Sequence, residues 1–73
     1  MTLIVARAKN RKSKVGEVAR FDDDSMETAE SIAQSVVMHN NCLAFVYVLN
    51  KGMAKPVLVK RIYRNWRNKI VTR

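Results

Sequence analysis

The sequence predicts an α+β fold: an antiparallel sheet with one amphipathic helix packed on a face, in the order β-β-α-β-β. Three observations carry this expectation. Four short runs rich in β-branched and aromatic residues are bounded by turn-forming clusters. Between the second and third runs, Met26, Ala29, Ile32, Ala33, Val36 and Val37 recur at the 3.6-residue period of a helix. Strands grouped on either side of a single helix pack as one sheet with the helix across it.

The elements follow in order. Thr2 to Lys9 reads as a strand through its Ile and Val content, and Asn10-Arg11-Lys12-Ser13 reads as a turn. Val15 to Phe21 alternates and closes a hairpin, with Gly16 the expected site of a bulge. Asp22-Asp23-Asp24-Ser25 is a helix start, since carboxylates favour the positive end of the helix dipole and Asp24 or Ser25 can accept from free N–H groups. Asp24 and Glu27 have capping-box spacing. His39-Asn40-Asn41 ends the helix, Asn being suited to a left-handed cap. Cys42 to Leu49 is continuously apolar and predicts a strand buried on both sides. Asn50-Lys51-Gly52 supplies a turn in which Gly52 takes positive φ. Val57 to Arg64 is the fourth strand, with Pro56 at its start where a missing donor does least harm. Lys69-Ile70-Val71-Thr72 offers a short fifth strand or a loose tail.

A chain of 73 residues is expected to make one domain, 1–73, with about 66–73 flexible. Its stability margin is thin at this size. One cysteine, Cys42, excludes an internal disulfide, and with His39 the only histidine there is no zinc-ligand set. No apolar run reaches the length of a membrane span, and the N-terminus lacks the pattern of a secretory signal, so a cytoplasmic location is expected.

Charge is the most informative property. Fourteen Lys and Arg against six Asp and Glu give a formal net charge of +8. Residues 1–14 carry Arg7, Lys9, Arg11, Lys12 and Lys14 and no acid, whereas all the acids, Glu17, Asp22, Asp23, Asp24, Glu27 and Glu30, fall within 15–30. From residue 51 onward every charge is positive. Two basic segments flanking one acidic segment suggest a directional binding surface.

Catalytic chemistry finds little support. His39 and Cys42 are three residues apart but straddle a helix-to-strand turn, so they read as a helix-end residue and a small core hydrophobe. Asp22, Asp23 and Asp24 lack the alternation, Gly and distal Glu of a calcium loop and read as helix-start residues. No phosphate loop, dinucleotide fingerprint or nucleophile elbow occurs. The expected protein is not an enzyme and uses no metal or cofactor.

Nucleic-acid binding fits the charge better. Lys60, Arg61, Arg64, Arg67, Lys69 and Arg73 are interleaved with Tyr63 and Trp66, a pattern in which cations meet phosphates while aromatic faces stack on bases. The basic turn between Lys9 and Lys14, with Arg7 before it, is a second finger that could follow a DNA or RNA backbone. A plainer reading makes Tyr63 and Trp66 core or rim residues and the cations a solubilising surface. The helix begins acidic, so a nucleic acid should lie away from it.

A protein partner is the alternative. Both faces of Cys42–Leu49 look apolar and one helix covers one face, so either the C-terminal segment or another chain, as in a homodimer, should cover the other. In size, charge polarity and β-β-α-β-β plan, the chain resembles small phage-encoded proteins that bind host or bacterial defence machinery, anti-CRISPR inhibitors among them. The resemblance carries no matched motif. It implies an inhibitor that docks on an acidic or nucleic-acid-binding protein surface and blocks it.

Overall fold

The computed structural model describes residues 1–22 and 25–73. Its elements are β1 (Thr2–Ala8), β2 (Gly16–Asp22), α1 (Met26–His39), β3 (Leu43–Leu49), β4 (Val57–Arg64) and β5 (Ile70–Thr72). The strands form one antiparallel sheet in the order β2-β1-β3-β4-β5, and α1 lies across one face. The α+β class and β-β-α-β-β order are therefore those the sequence predicts, with the C-terminal segment adding the fifth strand beside β4.

Strand direction explains where the helix sits. β2 and β3 are each antiparallel to β1, so they run parallel to one another and the chain between them must cross the sheet. α1 makes that crossing. Ser25 caps its start, its Oγ accepting from the Thr28 N–H at 3.4 Å. The expected capping box involves Asp24 and lies outside the described residues. At the far end Asn40 is extended, with φ −133° and ψ 145°, and both its backbone N–H and its Nδ2 donate to the Val36 carbonyl at 3.0 Å. The expected left-handed cap is thus absent, because the amide side chain satisfies the last turn directly.

Ala29, Ala33 and Val37 are fully buried on the helix side, against Leu3, Val5, Ala44, Val46 and Ile62 of the sheet. The two alanines present little bulk, which lets the helix backbone sit close over β1 and β3. Met26, Ile32 and Val36 pack at the margin, completing the apolar stripe predicted for the helix.

Two bulges shape the sheet, and neither is at Gly16, which pairs normally with Arg7. On β2, Ala19 opposes Val5 while Glu17 opposes Ala6, leaving Val18 as the extra residue. On β4, Lys60 opposes Val46 while Leu58 opposes Tyr47, leaving Val59 extra. Both bulges flank the paired, fully buried Val5 and Val46 in the sheet centre. A bulge adds twist and reverses the alternation of faces along its strand. Ala19 and Phe21 therefore pack toward the helix, while Glu17 joins Arg20 on the opposite face, where the two form a 2.8 Å ion pair.

Gly52 has φ +90°, as the turn between β3 and β4 requires. Nothing lies within 4 Å of where its Cβ would be, so the requirement is one of backbone conformation alone.

Candidate functional site

The cations of β4 do not form one strip. A strand sends successive side chains to opposite faces, and on the helix side Lys60 pairs with Glu30 at 3.5 Å. Arg64 also lies on that side. Its Nη2 donates to the Met38 carbonyl at 2.8 Å, its Nε to the Val37 carbonyl at 3.4 Å, and its Nη1 to Asn68 Oδ1 at 3.0 Å. Arg61 and Tyr63 lie on the face away from the helix. The run from Lys60 to Lys69 is thereby divided between two surfaces.

The face away from the helix carries an aromatic and cationic arrangement. Pairing across the strands aligns Ala6 of β1, Phe45 of β3 and Arg61 of β4 in one row. Arg73 completes the row beyond β4, its backbone exchanging hydrogen bonds of 2.7 and 2.8 Å with Arg61. Next to it Ala8 pairs with Leu43 and Tyr63 with Val71, and Leu43 and Tyr63 line one groove. Tyr47 stands beside Phe45, with ring centroids 6.4 Å apart and planes inclined at 46°. Phe45, Tyr47 and Tyr63 are half-buried, and a groove on this face is lined by Phe45, Tyr63, Arg11, Arg61 and Arg73.

This arrangement corrects the expectation that Cys42–Leu49 is buried on both sides. Ala44 and Val46 are fully buried under the helix, whereas Leu43, Phe45, Tyr47 and Leu49 keep part of their surface in solvent. The C-terminal segment does not fold across them, because it extends the sheet edgewise as β5.

Two basic turns project from one end of the sheet. The β1–β2 turn is anchored by Asn10, whose Oδ1 accepts from the Lys12 N–H at 2.9 Å and the Ser13 hydroxyl at 3.0 Å. The β4–β5 turn repeats the device, Asn65 Oδ1 accepting from the N–H groups of Arg67 at 2.9 Å and Lys69 at 3.0 Å. Asn68 takes φ 63° in that turn. The finger from Lys9 to Lys14 and the segment after Arg64 each carry local hydrogen bonds, and of the two readings offered for the C-terminal segment the short fifth strand is the one found.

Lys9, Arg11 and Arg64 line a shared groove between the turns, and Arg7 and Lys14 line an adjoining one. Lys12, Arg67 and Lys69 are exposed at the same end. Trp66 is 87 % exposed, with the Arg67 guanidinium carbon 4.6 Å from its ring centroid. Basic segments far apart in sequence therefore adjoin, while the acidic start of α1 lies at the opposite end of the sheet.

The sequence reading counts Arg73 among the C-terminal cations and sets Phe45 and Tyr47 on an apolar face awaiting cover, but it does not join them: only the strand pairing brings Phe45, Arg61 and Arg73 into one row. Elsewhere, Cys42 Sγ lies 3.8 Å from the Val36 carbonyl, a weak contact that turns the thiol toward the helix end. Among the described residues no group of three or more His, Cys, Asp or Glu side chains is placed to hold a metal ion. No helix of the described residues is long and apolar enough to cross a membrane.

No family model matches the chain, and no curated protein or solved structure shows significant similarity to it.

Proposed function

We propose that this protein is a non-enzymatic module that binds nucleic acid through the basic turns and the face of the sheet opposite the helix. The observation that carries the proposal is the cluster of Arg11, Arg61 and Arg73 around Phe45 and Tyr63. Three guanidiniums near two half-exposed rings suit a polyanion that also has flat apolar faces. The two turns extend the same positive surface with Lys9, Lys12, Lys14, Arg67 and Lys69. Because each turn is held by its own asparagine, less ordering entropy is lost when phosphates are engaged.

Lys and Arg would displace condensed counterions from phosphates, giving affinity that falls steeply with salt. Titration of labelled single strand and random duplex at about 50 and 200 mM salt tests this. Binding at the lower salt that weakens sharply at the higher supports the proposal; absence of binding at low salt, or binding indifferent to salt, overturns it. A stoichiometric protein captured from nuclease-treated lysate, together with absence of oligonucleotide binding, would favour docking on an acidic or nucleic-acid-binding protein instead.

A further inference from the structure

We infer that the ligand of the open sheet face is single-stranded nucleic acid, with bases stacked on Phe45 and Tyr63 and phosphates held by Arg61, Arg73 and Arg11. This inference rests on the function proposed above and narrows it to one class of ligand.

The shape of the surface separates single strand from duplex. Duplex readers insert a helix or a two-stranded ribbon into a groove. Here the only helix among the described residues lies on the opposite side of the sheet, and its first turn carries Glu27. Phe45 and Tyr63 instead stand on a broad five-stranded surface, one diagonal step apart on adjacent strands, a separation of about 7–8 Å between backbone positions. Bases within a duplex offer no free faces to such rings, whereas an unpaired strand can splay successive bases onto them.

β1 contributes only small side chains beside the rings, Ala6 opposite Phe45 and Ala8 opposite Leu43, both buried beneath their neighbours. On the other side Arg61 and Arg73 lie side by side, adjoining Phe45 in its own row and Tyr63 and Val71 in the next. A strand laid along β3 would have aromatic rings beneath its bases and guanidiniums along its backbone.

A second copy of the chain suits this face poorly. Isologous pairing presents the same patch to itself, so Arg61 and Arg73 would be buried in a partner patch of like sign. Among the described residues the acids of this face are Glu17, already paired with Arg20, and Asp22, which accepts from the Thr2 hydroxyl at 2.6 Å. These are two carboxylates, one of them already paired with Arg20, against Arg61, Arg73 and Arg11 on the same face.

The test compares the full chain with Phe45→Leu and Tyr63→Leu in anisotropy titrations against labelled oligothymidylate and a random duplex. Leucine keeps the apolar contact and removes the ring. Each substitution should weaken single-strand binding about tenfold while leaving duplex binding within about twofold. Thermal melting checks that the variants fold. Independently of any variant, the ring protons of Phe45 and Tyr63 in the unaltered protein should shift upfield on adding oligothymidylate. Duplex binding that equals single-strand binding, with both leucine variants unchanged and ring protons unmoved, overturns the inference and leaves nucleic-acid binding standing. Failure of both ligands to bind at low salt overturns both. A dimer seen by sedimentation that Phe45→Leu dissociates overturns the inference by assigning the face to a second copy.

Discussion

The guanidinium of Arg64 donates from Nη2 to the backbone carbonyl of Met38 at 2.8 Å, tying the end of β4 to the last turn of α1. A cation at a helix C-terminus meets carbonyls that have no partner within the helix. Arg64 therefore acts within the fold, although the sequence groups it with the cations of a binding strip. Arg64→Ala is expected to cost about 1–2 kcal/mol in chemical denaturation. Its effect on oligonucleotide affinity, measured on the folded fraction, should be smaller than that of Arg61→Ala.

Lys60 and Arg61 are adjacent in sequence but should behave differently. Arg61→Ala is expected to reduce the slope of log affinity against log salt by about one. Lys60→Ala leaves that slope nearly unchanged, because Lys60 lies on the helix side with Glu30. Their 3.5 Å pair is partly exposed, so its loss should change stability by less than about 1 kcal/mol. Equal slopes for the two variants would contradict the division of β4 between two surfaces.

Ile62 is the fully buried residue by which β4 reaches the core. Ile62→Ala removes buried methyl groups and leaves a cavity, for an expected loss of about 2–5 kcal/mol. A domain of this size has little stability in reserve, so the variant should be largely unfolded by circular dichroism at 37 °C. Ile62→Val, expected to cost about 0.5–1.5 kcal/mol, should remain folded.

Asn65 organises the turn that delivers β5. Asn65→Ala removes the acceptor shared by the Arg67 and Lys69 N–H groups, and should lower stability by about 1 kcal/mol. Hydrogen exchange should quicken first at the backbone amides of Asn68 and Arg73. Unchanged protection there would mean that the β4–β5 ladder holds without the turn.

Much of the fold was legible because its signals are local. The stripe from Met26 to Val37 has a helical period, and Gly52 marks a turn that needs positive φ. Val57–Arg64 is found with the boundaries expected for it. The bulges at Val18 and Val59 were not legible, since a valine that interrupts pairing looks like any other strand valine until its partner strand is known. Those bulges also decide which residues share a face: unbroken alternation would put Glu17 with Ala19 and Phe21, whereas the extra residue Val18 sends it to the face of Arg20. The candidate site suffered in the same way. Cations consecutive in β4 project to opposite sides, whereas Arg11, Phe45, Arg61 and Arg73 come together only through non-local pairing.

The backbone ladder between Arg61 and Arg73 has an energetic consequence. It fixes two like charges opposite one another on adjacent strands, an arrangement that opposes the hydrogen bonds holding those strands together. β5 has only three residues with which to resist that repulsion. An anion resting between the guanidiniums would turn a destabilising pair into a stabilising one, so ligand occupancy and closure of the sheet's edge become a single linked equilibrium. The edge strand would then report binding directly, with inorganic polyphosphate raising the melting temperature of the unaltered protein more than that of Arg73→Ala.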